Sequence, residues 1–209
     1  MKRVLLGSGG HARVIRAAAE SAGQPFDAVC ERDGVEPGPA AAGLPVLSES
    51  ELAAVFPAEA TLLVNGVAGA HGMAARQAVA RRWQARGYRI VGVIDPRAIV
   101  VTGSVIDAGA QVLAGAIIQS GATVDEGAII NSGAIVEHDC HVGAYAHVAP
   151  GATLCGAVTV GEGALVGAGA VVGPGTMVGA GARVGAGAAV IRDVRAGATV
   201  IGVPARDRS

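Results

Sequence analysis

Aromatic side chains are almost missing: only five of the 209 residues are Phe, Trp or Tyr. A globule packed around large rings is therefore excluded. The net charge is −1 and no basic run occurs, so a nucleic-acid partner is excluded as well. Cysteine is scarce too. Cys30, Cys140 and Cys155 form an odd set without a CxxC pair, which argues against a disulfide framework and a zinc site and fits a reducing cytosol. The N-terminal MKRVLLGSGG has too short an apolar part for a signal peptide, so no leader is expected. Helix-compatible apolar runs are also lacking. The uncharged stretch 163–182, GALVGAGAVVGPGTMVGAGA, is long enough to span a bilayer. However, it follows a strict period of six and carries glycine too often for a stable helix, so no membrane span is expected.

What is abundant is glycine, at 33 residues about twice the usual share of roughly 7%. Most of it lies in a repeat. From Ile94 to Val190 a branched aliphatic residue or Leu recurs every six positions, seventeen times without a slip. A small residue, usually Ala, follows four places after each, and glycine three places after in most hexads. One large and one small inward residue per hexad imply short strands joined by tight bends, with glycine supplying the backbone freedom at the bend. A hexad buries nothing by itself, so the coils must stack as a solenoid.

The first 90 residues follow a different period. KRVLL, FDAVC, TLLVN and YRIVGVI read as strands. The loop and helix of GSGGHARVIRAAAESAG, a short helix at 49–56 and the amphipathic MAARQAVARRWQARG alternate with them. Strand–helix alternation predicts a small parallel α/β domain. Its loop Gly7-Ser8-Gly9-Gly10-His11-Ala12 fits the pattern G-x-G-x-x-G/A between a strand and a helix, which can hold a phosphate on the helix N-terminus. A dinucleotide site would need a full two-half domain of about 150 residues. Half a domain suits a mononucleotide or nucleotide sugar better than the cofactor of an NAD-dependent dehydrogenase. Glu31 and Asp33, at the end of the second strand, are candidates to accept hydrogen bonds from ribose hydroxyls, and Arg32 stands between them.

The repeat breaks in one place. The hexad glycine is replaced by Asp139, Tyr145 and Ala157, and the same stretch holds His138, His141 and His147. A repeat rule broken without structural gain marks a functional candidate. His138 falls near a bend, two places past the inward Val136, flanked by Glu137 and Asp139. Either carboxylate could orient its ring as a general base. One 18-residue coil on lies Gly156, whose N–H is a candidate oxyanion donor. His141 has no partner evident from spacing, and Cys140 fills a small inward slot. The three histidines fall at different places around the coil, so no metal site is expected.

Three segments carry a resemblance over the whole chain: GSGGHARVI, INSGAIVEHDCHVGAYAHVAPGATLCG and VIGVPAR. The chain resembles the hexapeptide-repeat acyltransferases, and among them the bacterial sugar O-/N-acyltransferases of the sialic-acid and bacillosamine type. The resemblance implies a Rossmann-like α/β domain (1–93) that binds a UDP- or GDP-linked amino sugar. A left-handed parallel β-helix (94–209) of about five coils, roughly 25 Å tall at about 4.8 Å per strand, would follow it. The implied assembly is a cytoplasmic homotrimer with acetyl-CoA bound between neighbours. Carried over by motif, His138 is the general base with Glu137 and Asp139 beside it, and Gly156 is the oxyanion N–H. Asn131 and His147 line the acetyl or substrate site, and Gly9, Gly10 and His11 hold the nucleotide sugar. Relatives often carry consecutive acids where Arg32 interrupts this chain, and a His where it has Asp95. The implied reaction is direct acetylation of a sugar amino group, that at C4. The alternatives are O-acetylation of a sialic-acid-like sugar and a non-catalytic nucleotide-binding trimer.

Overall fold

The structure is a computed structural model that describes residues 1–68 and 73–207. The chain divides into two compact units, Met1–Asp95 and Pro96–Ser209.

The first unit is built on a parallel five-stranded sheet. Its strands are β1 (Lys2–Leu6), β2 (Ala28–Cys30), β3 (Val46–Leu47), β4 (Thr61–Asn65) and β5 (Arg89–Val91), in the order β3-β2-β1-β4-β5. Helix α1 (Gly10–Ser21) follows β1, α2 (Glu49–Val55) follows β3, and α3 (Ala74–Gln84) follows β4. Strand alternation explains the packing: Val4 and Leu6 share a cluster with Leu52 of α2 and Trp83 of α3, while Leu5 is buried with the opposite orientation. Helix α1 buries Ala12, Ile15, Ala18 and Ala19, one stripe at helical spacing. Ser48 and Glu51 close a capping box at the start of α2. Three details differ from the sequence expectation. The two-residue β3 was not expected, because two residues carry no periodicity. Helix α3 stops at Gln84, three residues before Gly87, which takes φ +84° in the closing turn. YRIVGVI is not one strand: Val93–Ile94 forms a separate element after Gly92.

The second unit is a three-walled coil of two-residue strands. On one wall Ile117 pairs with Ile135, Ile135 with Thr153, and Thr153 with Val171. On the second, Thr123 pairs with His141 and His141 with Thr159. On the third, Ile129 pairs with His147 and His147 with Leu165. Each of these pairings is parallel and 18 residues apart, so three hexads make one coil. The interior is a column of small and branched side chains: Val136, Val142, Val148 and Leu154 are fully buried, and so are Ala134, Ala146 and Ala152. Each such branched side chain contributes about 1.5–3 kcal/mol by leaving water. Backbone N–H groups donate to the next coil, as Ile135 N–H does to Ala152 O at 2.8 Å. The first rungs depart from the expected pattern: Ile94 and Val100 are exposed, because no earlier coil covers them from below. Past Val190 the register shortens, so Val194 stands on Val178, and Thr199–Ile201 pairs antiparallel with Arg206–Asp207. Among the described residues no helix is long and apolar enough to cross a membrane, and 163–182 consists of coil strands and turns.

Candidate active site

The conserved backbone shape of the coil accounts for the break in the repeat. Hexad glycines from Gly163 to Gly187 sit in the left-handed region at φ 64–66°. Three non-glycine residues of the described chain share that conformation: Asp139 (φ 59°), Tyr145 (φ 54°) and Ala157 (φ 58°). Between Gly103 and Gly187 they are the three corner positions where the sequence departs from glycine. An L-residue there costs about 1–2 kcal/mol, so the bend is kept and the side chains are tolerated at a cost.

At the first of these corners His138 projects into solvent, its side chain 64% exposed. Asp139 Oδ2 accepts a hydrogen bond from His138 Nδ1 at 2.9 Å. A carboxylate only accepts, so Nδ1 carries the proton and the lone pair lies on Nε2. The Asp139 hydrogen bond raises the imidazole pKa above its ordinary value; burial is the next largest influence and opposes it, and the charges of Asp139 and Glu137 add to the rise. Glu137 makes no side-chain hydrogen bond among the described residues; its N–H is spent on Leu154 O. Of the two flanking acids, geometry selects Asp139.

The imidazole lies against the backbone of the next coil. A β-carbon built on Gly156 would come within 2.5 Å of His138 Nε2 and 2.6 Å of its Cε1. Gly156 therefore has no side chain because the ring occupies that space. Its N–H has no hydrogen-bond partner among the described residues, whereas Ala157 N–H donates to His138 O at 2.9 Å. The Asp139 carboxylate lies in turn on Gly121, one coil below, where a β-carbon would meet Oδ1 at 2.4 Å.

A second cluster sits on another wall. Asn131 Nδ2 donates to His147 Nε2 at 3.0 Å, and Ser132 N–H fixes the amide by donating to Asn131 Oδ1 at 2.8 Å. Within one chain, then, Asn131 and His147 come together and stand apart from the corner that holds His138 and Gly156. His141, expected to lack a partner, has one: its Nε2–H donates to Asp125 Oδ2 at 2.8 Å. Spacing along one coil hid this contact because it bridges two coils, 16 residues apart. Cys140 is buried, donates to Cys155 O at 3.1 Å, and has its pKa raised by burial. No group of three metal-ligating side chains occurs among the described residues.

The first unit holds a cavity of about 580 Å³ over the carboxyl ends of its strands. Gly7, Gly9, Gly10 and His11 line it at the start of α1. Helix α1 has no side-chain cap and no acid in its first turn, and a β-carbon on Gly9 or Gly10 would meet nothing within 4 Å. Those two glycines keep the approach open; Gly7 instead needs φ +83° for the turn. Glu31 lines the cavity, and its Oε2 accepts from Ser8 Oγ at 2.6 Å. Asp33 is exposed and lies outside the lining, where Arg32 stands in its place. The wall after β4 is braced by Arg76, which is buried and donates to Asn65 O at 2.8 Å and Val67 O at 3.0 Å.

Solved structures of similar chains share this architecture. PerB from Caulobacter crescentus, in complex with CoA and GDP-perosamine, is 34% identical, with a TM-score of 0.90 over 100% of this chain and 98% of that one. The acetyltransferase domain of PglB from Neisseria gonorrhoeae, in complex with acetyl coenzyme A, is 32% identical, with a TM-score of 0.88 over 99% and 98%. This chain belongs to the hexapeptide-repeat bacterial sugar acyltransferases. The family model described as bacterial transferase hexapeptide (six repeats) matches residues 157–192. WeeI from Acinetobacter baumannii is 25% identical at a TM-score of 0.84, with 99% of each chain covered. No curated protein matches at a comparable level.

Several cavity residues of this acyltransferase chain were not singled out from its sequence: Ser8, Glu49 and Arg82. Ser8 could have been suspected from its place inside the glycine loop. Glu49 and Arg82 meet from α2 and α3, and no sequence spacing announces the pair.

Proposed function

We propose that the chain is an acetyl-CoA-dependent N-acetyltransferase acting on the amino group of a nucleotide-linked amino sugar. The observation that carries this reading is the packing of His138 Nε2 against the backbone of Gly156, with Asp139 holding Nδ1. One lone pair and one free amide then face the same corner. In the reaction, the sugar nitrogen attacks the thioester carbonyl and forms the N–C bond. His138 Nε2 removes a proton from that nitrogen, and the Gly156 N–H stabilises the developing oxyanion. Collapse breaks the C–S bond, and the imidazolium returns its proton to the departing CoA sulfur. No covalent acyl-enzyme is required: among the described residues no Ser is hydrogen-bonded to His138, and the Cys140 thiol is buried with a raised pKa.

The finer features of this reading fit it as follows. The three-walled coil is wound left-handed, and the α/β unit is a Rossmann-like half-domain whose cavity takes the nucleotide, with the diphosphate on the uncapped start of α1. Gly9, Gly10 and His11 contact the diphosphate, and Glu31, already hydrogen-bonded to Ser8, borders the ribose. Asn131 and His147 serve from a wall other than that of His138, so the acyl site is completed by a neighbouring copy in a homotrimer. PerB is described with GDP-perosamine and CoA and PglB with acetyl coenzyme A, which supports both substrate classes. The enzyme works in the cytoplasm, where such substrates are made.

The test is release of free thiol from acetyl-CoA with a panel of UDP- and GDP-linked 4-amino sugars. Thiol release matched by N-acetyl product is expected with at least one of them. Release no faster than hydrolysis across the panel would leave a non-catalytic nucleotide-binding protein instead.

A further inference from the structure

The cavity of the first unit has two unlike ends. Its lining follows the order of the sheet: Val67 after β4, the glycine loop after β1, Glu31 and Arg32 after β2, and Glu49 after β3. One side is a stripe of α3 at helical spacing, Ala75, Ala78, Val79 and Arg82. The first three are small and apolar, a flat surface on which a planar ring can lie. At the end beyond β2 and β3 stand Glu49 and Arg82, an ion pair closed between Glu49 Oε1 and Arg82 Nη2. Glu49 is placed by the capped start of α2 and Arg82 by the last turn of α3, each at the helix end that favours its charge.

The pair is not saturated. Glu49 Oε2 has Arg86 Nη1 at 4.0 Å, an ion-pair distance too long for a hydrogen bond. Arg82 spends one N–H on Glu49 and retains the rest of its fork. A carboxylate and a guanidinium side by side thus offer paired acceptors next to paired donors. With the diphosphate at α1 and the ribose at Glu31, the base falls at this end.

We infer that Glu49 and Arg82 read the base of the nucleotide sugar and select guanine. Guanine presents two adjacent donors, N1–H and the exocyclic amine, to the carboxylate. Its O6 and N7 accept from a guanidinium. Uracil has a single N–H flanked by two carbonyls, so one of them would face the carboxylate oxygens. Adenine offers one amine beside a bare ring nitrogen and leaves half of the carboxylate opposed by a lone pair. This inference rests on the nucleotide reading of the cavity above.

The experiment is calorimetric titration of the intact protein with GDP, UDP, CDP and ADP, repeated with Glu49→Gln and Arg82→Gln. Trp83, the one tryptophan of the chain, lines the cavity and gives a second, fluorescence readout. GDP is expected to bind at least about tenfold more tightly than the others. Glu49→Gln should weaken GDP about tenfold to a hundredfold while leaving UDP within about threefold. Equal or tighter binding of UDP, CDP or ADP by the unmodified protein overturns the inference without any variant having to fold. So does a GDP preference that survives Glu49→Gln in a protein with unchanged circular dichroism. Those results still leave a nucleotide site. Failure of all four diphosphates to bind removes the nucleotide reading itself.

Discussion

The coils from Gly163 to Gly187 and those from His138 to Ala157 have the same backbone and different chemistry. In the upper coils every corner is glycine at φ 64–66°; below them Asp139, Tyr145 and Ala157 hold the same corner at φ 54–59°. What the solenoid demands is a left-handed bend, not glycine itself. Where glycine is given up, a side chain gains a fixed exit from the wall. Asp139 uses it to reach His138, and Tyr145 to lay its ring on Gly127 and donate to Glu126 Oε1 at 3.1 Å. Glycine also appears where the opposite is needed: Gly156 is not at a left-handed corner and clears room for an imidazole. Regular coils supply height, and the interrupted ones set an imidazole against the backbone of the coil above.

The largest test of this contrast is removal of the base. His138→Ala should lower kcat by about 10²–10⁴ while the melting temperature stays near that of the parent, because the ring is exposed and packs on backbone only. Gly156→Ala attacks the same contact from above. A methyl group in the space of Nε2 must push the ring away, and a loss of about tenfold to a hundredfold is expected with the fold intact. Near-parental turnover in either variant would show that the interrupted coils are no more catalytic than the regular ones.

This contrast was visible in the sequence to an unequal degree in its parts. The six-residue period could be read directly because each hexad repeats one local rule, and the failing glycines at 139, 145 and 157 could be read against it. Gly156 beneath no side chain of its own, one coil above His138, followed from the 18-residue step. What could not be read was which neighbour each polar group chooses. Glu137 and Asp139 are equivalent in spacing, and only the left-handed turn at 139 swings its carboxylate onto Nδ1. His141–Asp125 and Glu49–Arg82 join residues 16 and 33 apart by geometry that no period encodes. Arg32 in the cavity lining, with Asp33 outside it, is a matter of which way a strand end turns.

A smaller effect concerns pH. Asp139 raises the pKa of His138, and the proposed base must be neutral to act, so kcat/KM should fall as pH drops through a value above that of an ordinary imidazole. Asp139→Asn removes the carboxylate that contributes most to this shift. The acidic limb of the profile should then move to lower pH, with a rate loss smaller than that of His138→Ala. A limb that stays in place, or moves upward, would assign the titration to another group.

The smallest expected effect separates backbone from chemistry most cleanly. Ala157 holds a left-handed corner with a β-carbon and serves no other purpose evident in its contacts. Ala157→Gly relieves a torsional cost of about 1–2 kcal/mol and adds unfolded-chain entropy of about 0.5–1 kcal/mol. The variant should therefore be more stable by about 0.5–1 kcal/mol. The converse, Gly169→Ala, sits in the regular coils at φ 65°, where an added β-carbon meets nothing within 4 Å. Its torsional cost, less the same unfolded-chain entropy, should be of similar size with the opposite sign. Thermal melts at one protein concentration should place the two variants a few degrees on either side of the parent. Turnover should be unchanged in both. If Ala157→Gly instead melts lower, the alanine stabilises the coil by a contact that backbone geometry does not explain. The interruption at that corner would then be structural, and only Asp139 would remain as a residue placed there for the reaction.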